Sequence, residues 1–469
     1  MIDKKYKRLL SNTAILGLGT FGSKILVFLL MPLYTSCLTK AEYSTADIIS
    51  QSANLLMPIL SLGIVDAVFR FTLDKTIDRR QVLTTGFAVI LAGAAVMLAL
   101  FPALNAIDYF EGYMWLIILY TVMACLHSLF AQYIRAQGMT AFFALQGIIA
   151  TAVTILLNLL FLLVFDWAVL GYVLSVVIAD AVVSLIIFLR SKLWREIRFF
   201  HWNGKLARDM LKFSIPMIPT TIFWWITNVS DRYMVKGMLG DDVNGLYAAA
   251  FKIPTMLILL SGIFIEAWQF SAVTERDGES KKAHEHFFGQ VFDSFQGMLF
   301  ISAAGLIAFS KIFSLLLFSD EFYPAWQYMP LLIFATVYSS LVTFMGSVYL
   351  VDKKSIQSFI TAMIGALVNI VFNLLLIPTV LGANGAALAT FLSYFVVFII
   401  RAVNTRRYLR FDLHIPKLTV NTLVIAAQTV FMVLELPGWI VVQAAGIAVI
   451  FAINAGPILR GCMKLLRRG

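Results

Sequence analysis

The chain has 469 residues, of which 60% are hydrophobic, 14% aromatic and only 13% charged, and its mean hydropathy is +0.87. An ordinary soluble domain is about 45–50% apolar and about a quarter charged, so a soluble globular protein is excluded and a polytopic membrane protein is expected. The formal net charge is +10 and there are three cysteines. Cys37, Cys125 and Cys462 have neither a metal-like spacing nor a disulfide framework.

A helix needs roughly 20 mainly apolar residues to cross a bilayer. Reading between charged and turn-rich breaks gives fourteen spans, at 12–36, 43–70, 82–102, 112–136, 142–165, 168–189 and 211–237, then 245–271, 287–310, 325–350, 355–377, 385–404, 418–435 and 439–459. The first run is too long for a cleaved signal-peptide core and is read as a span. With the N-terminus placed in the cytoplasm and the spans alternating, all but six of the 36 basic residues fall on cytoplasmic ends and loops. The six are Lys24, Lys40, Arg232, Lys236, Lys252 and Lys311. An even number of spans with both termini cytoplasmic is therefore expected. Most of the positive charge is topology, and no nucleic-acid partner is needed to explain it.

Two halves of the chain echo each other. "LLSNTAILGLGTFGSKILVFLLMPLYTSCLTKAEYSTADI" opens the first, and "MLKFSIPMIPTTIFWWITNVSDRYMVKGMLGDDVNGLYAAAFKI" opens the second, after the basic loop 190–208. In each, a serine (Ser11, Ser214) is followed by a helix, a short acidic turn and a tyrosine (Tyr43, Tyr247). The expected architecture is all-α, with about 14 transmembrane helices. A six-helix bundle over 1–190, a cytoplasmic linker at 191–210 and a pseudo-symmetric bundle over 211–410 are followed by a terminal helix pair in 411–469.

No nucleotide-binding, metalloprotease, CxxC or serine-hydrolase motif is present, so no catalytic residue, metal site or organic cofactor is assigned. An integral-membrane enzyme would need a sizeable polar loop with paired carboxylates, whereas the longest inter-span segment is basic. The informative residues are ionisable groups inside spans, which cost about 2.5–3.5 kcal/mol each at a helix centre and usually face a cavity or a partner. Lys24 lies near the middle of span one and Asp180 near the middle of span six. Arg232 and Lys252 flank the turn at 240–242, each about 10 Å deep at roughly 1.5 Å per residue. Asp66 and Glu266 lie toward the cytoplasmic ends of spans two and eight.

Each of these also has a structural reading. Asp180 serves equally as a helix-packing residue, and His127 as its like in span four. Asp231 serves as a neutralising partner for a cation, while Lys236 and Arg70 reach the interface by snorkelling. Three cations in one cavity would concentrate anions, and an arginine fork suits phosphate oxygens. Lys24, Arg232 and Lys252 are accordingly the expected substrate-binding residues, with Asp66, Asp180, Asp231 and Glu266 as coupling residues or charge partners.

Three stretches carry a family likeness: "FLLMPLYTSCLTKAEYSTADI" in spans one and two, "SDRYMVKGMLGDDVNGLYAAAFKI" across spans seven and eight, and "NIVFNLLLIPTVLGANGAALAT" at 369–390. With the span count, they resemble the polysaccharide flippases of the multidrug/oligosaccharidyl-lipid/polysaccharide exporter superfamily. The resemblance implies translocation of an undecaprenyl-pyrophosphate-linked oligosaccharide across the bacterial plasma membrane. It further implies alternating access through a lumen lined by spans one, two, seven and eight. Its partners would be that lipid-linked substrate, membrane lipids and, functionally, glycosyltransferases and a polysaccharide polymerase. A coupling ion, Na+ or H+, is the one small partner expected.

The chain departs from the superfamily's other branches. Multidrug exporters typically carry an acidic coupling residue in the first helix, where this chain has Lys24 and no carboxylate. Lipid II flippases tend to have several arginines in helices one, two and eight, most of which are missing here. A cation-coupled multidrug or metabolite antiporter and a lipid II flippase are therefore the alternatives to a polysaccharide flippase.

Overall fold

A computed structural model of the protein describes residues 28–198, 203–274, 281–351 and 354–466. Among them the regular structure is helical, and eleven helices are long and apolar enough to cross a membrane, twelve if one bent pair counts as a single span. The protein is thus an all-α, multi-pass membrane protein. Two of the fourteen expected spans are not among these. The first lies mostly outside the described residues. The seventh is present as the helix Ile218–Leu239, but Asn228, Asp231, Arg232 and Lys236 make it less apolar than the rest. The chain divides into two compact units, Met1–Trp225 and Ile226–Gly469.

In the first unit the helices are α1 (Met31–Cys37), α2 (Lys40–Leu60), α3 (Ile64–Thr72), α4 (Arg79–Asn105), α5 (Met114–Ala136), α6 (Thr140–Asn158), α7 (Ala168–Arg190) and α8 (Gly204–Ser214). Thr39 starts α2 through a capping box with Glu42, which satisfies two backbone N–H groups that have no intrahelical acceptor. α5 is the hub and packs against α2, α3, α4 and α7. Its Ile117, Leu129 and Ile134 join Leu83 and Ile90 of α4 and Val173, Val183 and Ile187 of α7 in one buried cluster.

The expected second span is not one straight helix. α2 and α3 meet at an angle of 58°. Pro58 has no N–H to give to the preceding turn, and the Ser61 hydroxyl takes the Met57 carbonyl at 2.7 Å. Leu62 and Gly63 then adopt left-handed conformations with φ of 50° and 64°. Gly93 of α4 crosses at this break: a Cβ there would lie 2.1 Å from the Leu60 carbonyl oxygen. α6 also departs from ideal geometry, running on into a π-helical turn over Leu159–Val164.

The second unit holds α9 (Ile218–Leu239, from Ile226 onward), α10 (Asp241–Ala250), α11 (Lys252–Thr274), α12 (Lys281–Ala308), α13 (Ser310–Leu317), α14 (Met329–Val351), α15 (Ser355–Leu376), α16 (Ala383–Asn404), α17 (Ile415–Val433) and α18 (Trp439–Leu466). The expected eighth span is broken into α10 and α11 at Phe251. Pro254 explains the break, because it leaves the Ala250 carbonyl without its i+4 donor. The core of this unit is aromatic. Trp268 stacks on Phe344 at 5.2 Å and meets Phe288 edge-on at 4.5 Å, while Phe292 and Phe295 each sit 5.4 Å from Phe344.

The last two helices are keyed together by polar contacts in an otherwise apolar interface. The Asn421 and Asn454 amides donate to each other at 3.2 and 2.9 Å, and the Gln428 and Gln443 amides each donate to the other's backbone carbonyl. Such pairs fix helix register, because a slipped alignment would strand amides in an apolar surround.

Candidate functional site

Asp231 is the centre of the most developed polar cluster in the second unit. α9 carries it into the interior, and it is fully buried. Tyr247 of α10 donates its hydroxyl to Asp231 Oδ2 at 2.6 Å, and Thr390 of α16 donates to the same oxygen at 3.2 Å. The backbone N–H of Arg232 donates to Oδ1 at 2.9 Å. Beyond Thr390 the network continues into α15. Asn369 donates to Thr390 Oγ1 at 3.2 Å, and Asn369 Oδ1 accepts from Asn373 at 2.9 Å and from Ser230 at 2.9 Å.

One atom in this cluster is orphaned. Asn373 Oδ1 is buried without a hydrogen-bond partner, and a buried acceptor left unpaired costs about 1–3 kcal/mol. The cluster therefore offers a carboxylate, two amide oxygens and a hydroxyl, all buried, from three helices. Hard oxygen donors with a single negative charge suit a small hard cation or a proton, and lack the soft ligands that transition metals prefer.

Arg232, next in sequence, is also buried, 7% exposed, and its guanidinium lies 4.4 Å over the Phe251 ring. Phe251 is the residue at the break between α10 and α11, and Lys252, half-buried, follows it directly. Arg232 thus packs on the ring that immediately precedes Lys252 in the chain. Lys236 is held by Asp241 at 2.8 Å, because the Gly240 turn, with φ of 91°, brings the start of α10 back toward the end of α9.

The remaining candidates lie elsewhere. Lys24 and the side chain of Glu266 fall outside the described residues. Asp66 is in the first turn of α3 and lines a cavity of about 170 Å³ with Ser61, Cys125, Ser128, Ser214 and Thr221. Asp180, on α7, accepts from His127 Nδ1 of α5 at 2.7 Å.

Sequence reasoning named Asp231 but missed Tyr247 as its partner, and missed Asn369, Asn373 and Thr390. A signal for two of them was present: asparagines four apart in an apolar span share one helix face. Nothing local joins that face to Asp231, some 140 residues earlier, so the cluster exists only in the tertiary fold.

Solved structures share this fold at low identity. A lipid II flippase, MurJ, in an inward closed conformation aligns with a TM-score of 0.68 at 15% identity, covering 96% of this chain and 100% of that one. An inward-facing multidrug resistance MATE family transporter of the MOP superfamily gives 0.64 at 13% identity over 82% and 95%. A MOP superfamily transporter from Pyrococcus furiosus, described as having a binding pocket of reverse polarity, gives 0.60 at 13% identity over 84% and 94%. No curated protein matches. The model of the family described as "Polysaccharide biosynthesis protein" matches residues 9–268, more than half of the sequence. The chain belongs to the polysaccharide biosynthesis protein family and is built on the fold of the MOP superfamily transporters.

Proposed function

We propose that the protein is a flippase that carries an undecaprenyl-pyrophosphate-linked oligosaccharide repeat unit across the bacterial plasma membrane by alternating access, for assembly of a surface polysaccharide. The observation that carries this reading is membership of a polysaccharide biosynthesis family in a chain whose described residues form eleven or twelve candidate membrane spans. Both termini face the cytoplasm in this reading, which the distribution of basic residues supports. The two expected six-helix bundles move against each other during the cycle.

The pyrophosphate is held by Arg232 and Lys252 at the α10–α11 break, with Lys24 as a third cation. Phe251 packs against the guanidinium plane, and a guanidinium's planar donor fork suits phosphate oxygens. Coupling is assigned to Asp231. Its oxygens, with Asn369, Asn373 and Thr390, would hold a Na+ ion or a proton, which supplies a positive charge that balances the buried carboxylate. The Asp231 carboxylate receives the Arg232 backbone N–H. A change in its charge or position is thereby passed within one residue to the anion-binding side chain.

The test is genetic and chemical. Deleting the gene in its host should abolish the surface polysaccharide and leave the lipid-linked repeat on the cytoplasmic face. Wild-type complementation should restore export, and neighbouring glycosyltransferase and polymerase genes are expected. Undiminished surface polysaccharide in the deletion strain would refute the proposal. If drug resistance were lost instead, the antiporter alternative would replace it.

A further inference from the structure

The first unit contains a second buried polar array that the proposed pyrophosphate and cation sites do not use. His127 lies mid-way along α5, Asp180 mid-way along α7, and Gln146 in the second turn of α6. Both imidazole nitrogens are engaged: Nδ1 meets Asp180 Oδ1 at 2.7 Å and Nε2 meets Gln146 Oε1 at 2.5 Å. The His127 and Asp180 side chains are 17% and 15% exposed, so the array is largely buried.

The chemistry of Gln146 makes this more than a packing contact. A neutral imidazole has one donor and one acceptor nitrogen, and a protonated one has two donors. With Nδ1–H donating to Asp180, the neutral ring needs Nε2 to accept from the Gln146 amide nitrogen. The protonated ring needs Nε2–H to donate to the Gln146 amide oxygen, and it is that oxygen that lies 2.5 Å from Nε2. A half-turn of one amide group therefore serves both states, and neither strands a buried donor or acceptor. Asp180 keeps one tautomer throughout.

The charge balance points the same way. With neutral His127 the array carries the single negative charge of Asp180, and with a proton on Nε2 it carries none. In a low-dielectric setting that difference is substantial. Few other charges compete. α6 has no ionisable side chain along Thr140–Asn158, and α4 has only Arg79 and Arg80, at its start. α2 carries Lys40, Glu42, Tyr43 and Asp47, and α3 carries Asp66 and Arg70. The remaining ionisable groups on α5 and α7 are Arg135 and Arg190 in their last turns, Cys125 and Tyr133 on α5, and Tyr120 and Tyr172, of which Tyr120 is near enough to Asp180 to feel its charge.

We infer that His127, Asp180 and Gln146 form a proton-binding site in the first unit, in which Nε2 of His127 takes up and releases the proton and Gln146 turns its amide to match. No covalent bond to carbon changes. The proton comes from solvent water or hydronium and returns to it. The site is separate from the Asp231 cluster and stands whatever the transported substrate proves to be.

The experiment uses the full-length protein in nanodiscs of phosphatidylethanolamine and phosphatidylglycerol, with 15N-labelled histidine. The chain has five histidines, and H127Q identifies the resonance of interest by subtraction. From about pH 5 to about pH 9, the range in which imidazoles change charge, Nδ1 is expected to stay protonated while Nε2 converts between its deprotonated and protonated forms. At a fixed pH within that transition the fraction protonated at Nε2 should fall in D180N and rise in Q146E. If H127Q does not fold, the response of one resonance to Q146E provides the assignment. A His127 that holds one protonation state across the whole range, or populations indifferent to D180N and Q146E, would overturn the inference. Because no transport substrate is involved, that failure is distinct from failure of the flippase assignment.

Discussion

Tyr247 donates its hydroxyl to the Asp231 carboxylate at 2.6 Å, joining α10 to α9 in the interior of the second unit. Both side chains are fully buried, and the acceptor is one that burial alone would disfavour in its charged form. Tyr247, Thr390 and the Arg232 backbone N–H share the solvation that water would otherwise provide. The same contacts leave an acidic, oxygen-rich cluster beside the orphaned Asn373 amide oxygen.

If Asp231 holds a cation, sodium should stabilise the purified protein against heat in proportion to its occupancy. A ligand at a hundred times its dissociation constant contributes about 2.7 kcal/mol of stability. The expected outcome is a sodium-dependent rise in Tm for the wild type, reduced in N373L and absent in D231N. Potassium or choline at equal ionic strength serves as the control. Equal rises for wild type and D231N would remove Asp231 from ion binding and leave a proton as its only coupling partner.

Replacing Arg232 and Lys252 together with alanine should reduce polysaccharide export at least tenfold at equal membrane expression. A hydrogen bond to a charged group is worth about 1.5–3 kcal/mol, and each 1.4 kcal/mol is a factor of ten. Arg232→Lys should not restore full activity, because lysine has neither the planar fork nor the stacking surface that Phe251 engages. Export unchanged in the double variant would end the anion-site assignment.

Gly93 allows α4 to cross the α2–α3 break at backbone contact distance. Gly93→Ala should therefore lower thermal stability by about 1–3 kcal/mol, the range for overpacking a tight contact. Gly147→Ala is the matched control, since nothing lies within 4 Å of the position its Cβ would occupy. Thermal unfolding in detergent, followed by tryptophan fluorescence, separates the two.

The Asn421–Asn454 pair should be strongly coupled. Either single leucine substitution leaves one buried amide unsatisfied, at about 1–3 kcal/mol. The double substitution removes both amides and should be nearer neutral. A double-mutant cycle on Tm reads the coupling, and additive effects would show that the two amides do not depend on each other.

Much of this protein is legible from hydropathy. Where a span is apolar over most of its length, as at 168–189 or 385–404, the helix forms close to the expected residues, at Ala168–Arg190 and Ala383–Asn404. The bilayer leaves a backbone no other way to satisfy its N–H and C=O groups. Prolines blur the picture. The run at 43–70 reads as one span but bends near Pro58 and Gly63, and the run at 245–271 is interrupted at Phe251, three residues before Pro254.

The charged residues Asp231, Arg232, Asp180 and Lys252 were visible in the sequence for a simple reason: an ionisable group in a membrane span is costly, and its presence needs an explanation. Their partners were not visible. Asp231 meets Thr390 across 159 positions, and His127 meets Asp180 across 53. Hydropathy reports how each segment partitions into the bilayer, one segment at a time. Which asparagine, threonine or glutamine then sits beside which charge depends on helix rotation and crossing, and those are set by side-chain packing between segments distant in the chain. The sequence alone determined that the chain would form membrane helices and where costly charges lay within them; the tertiary structure decided which oxygens gather around Asp231 and which acceptors hold His127.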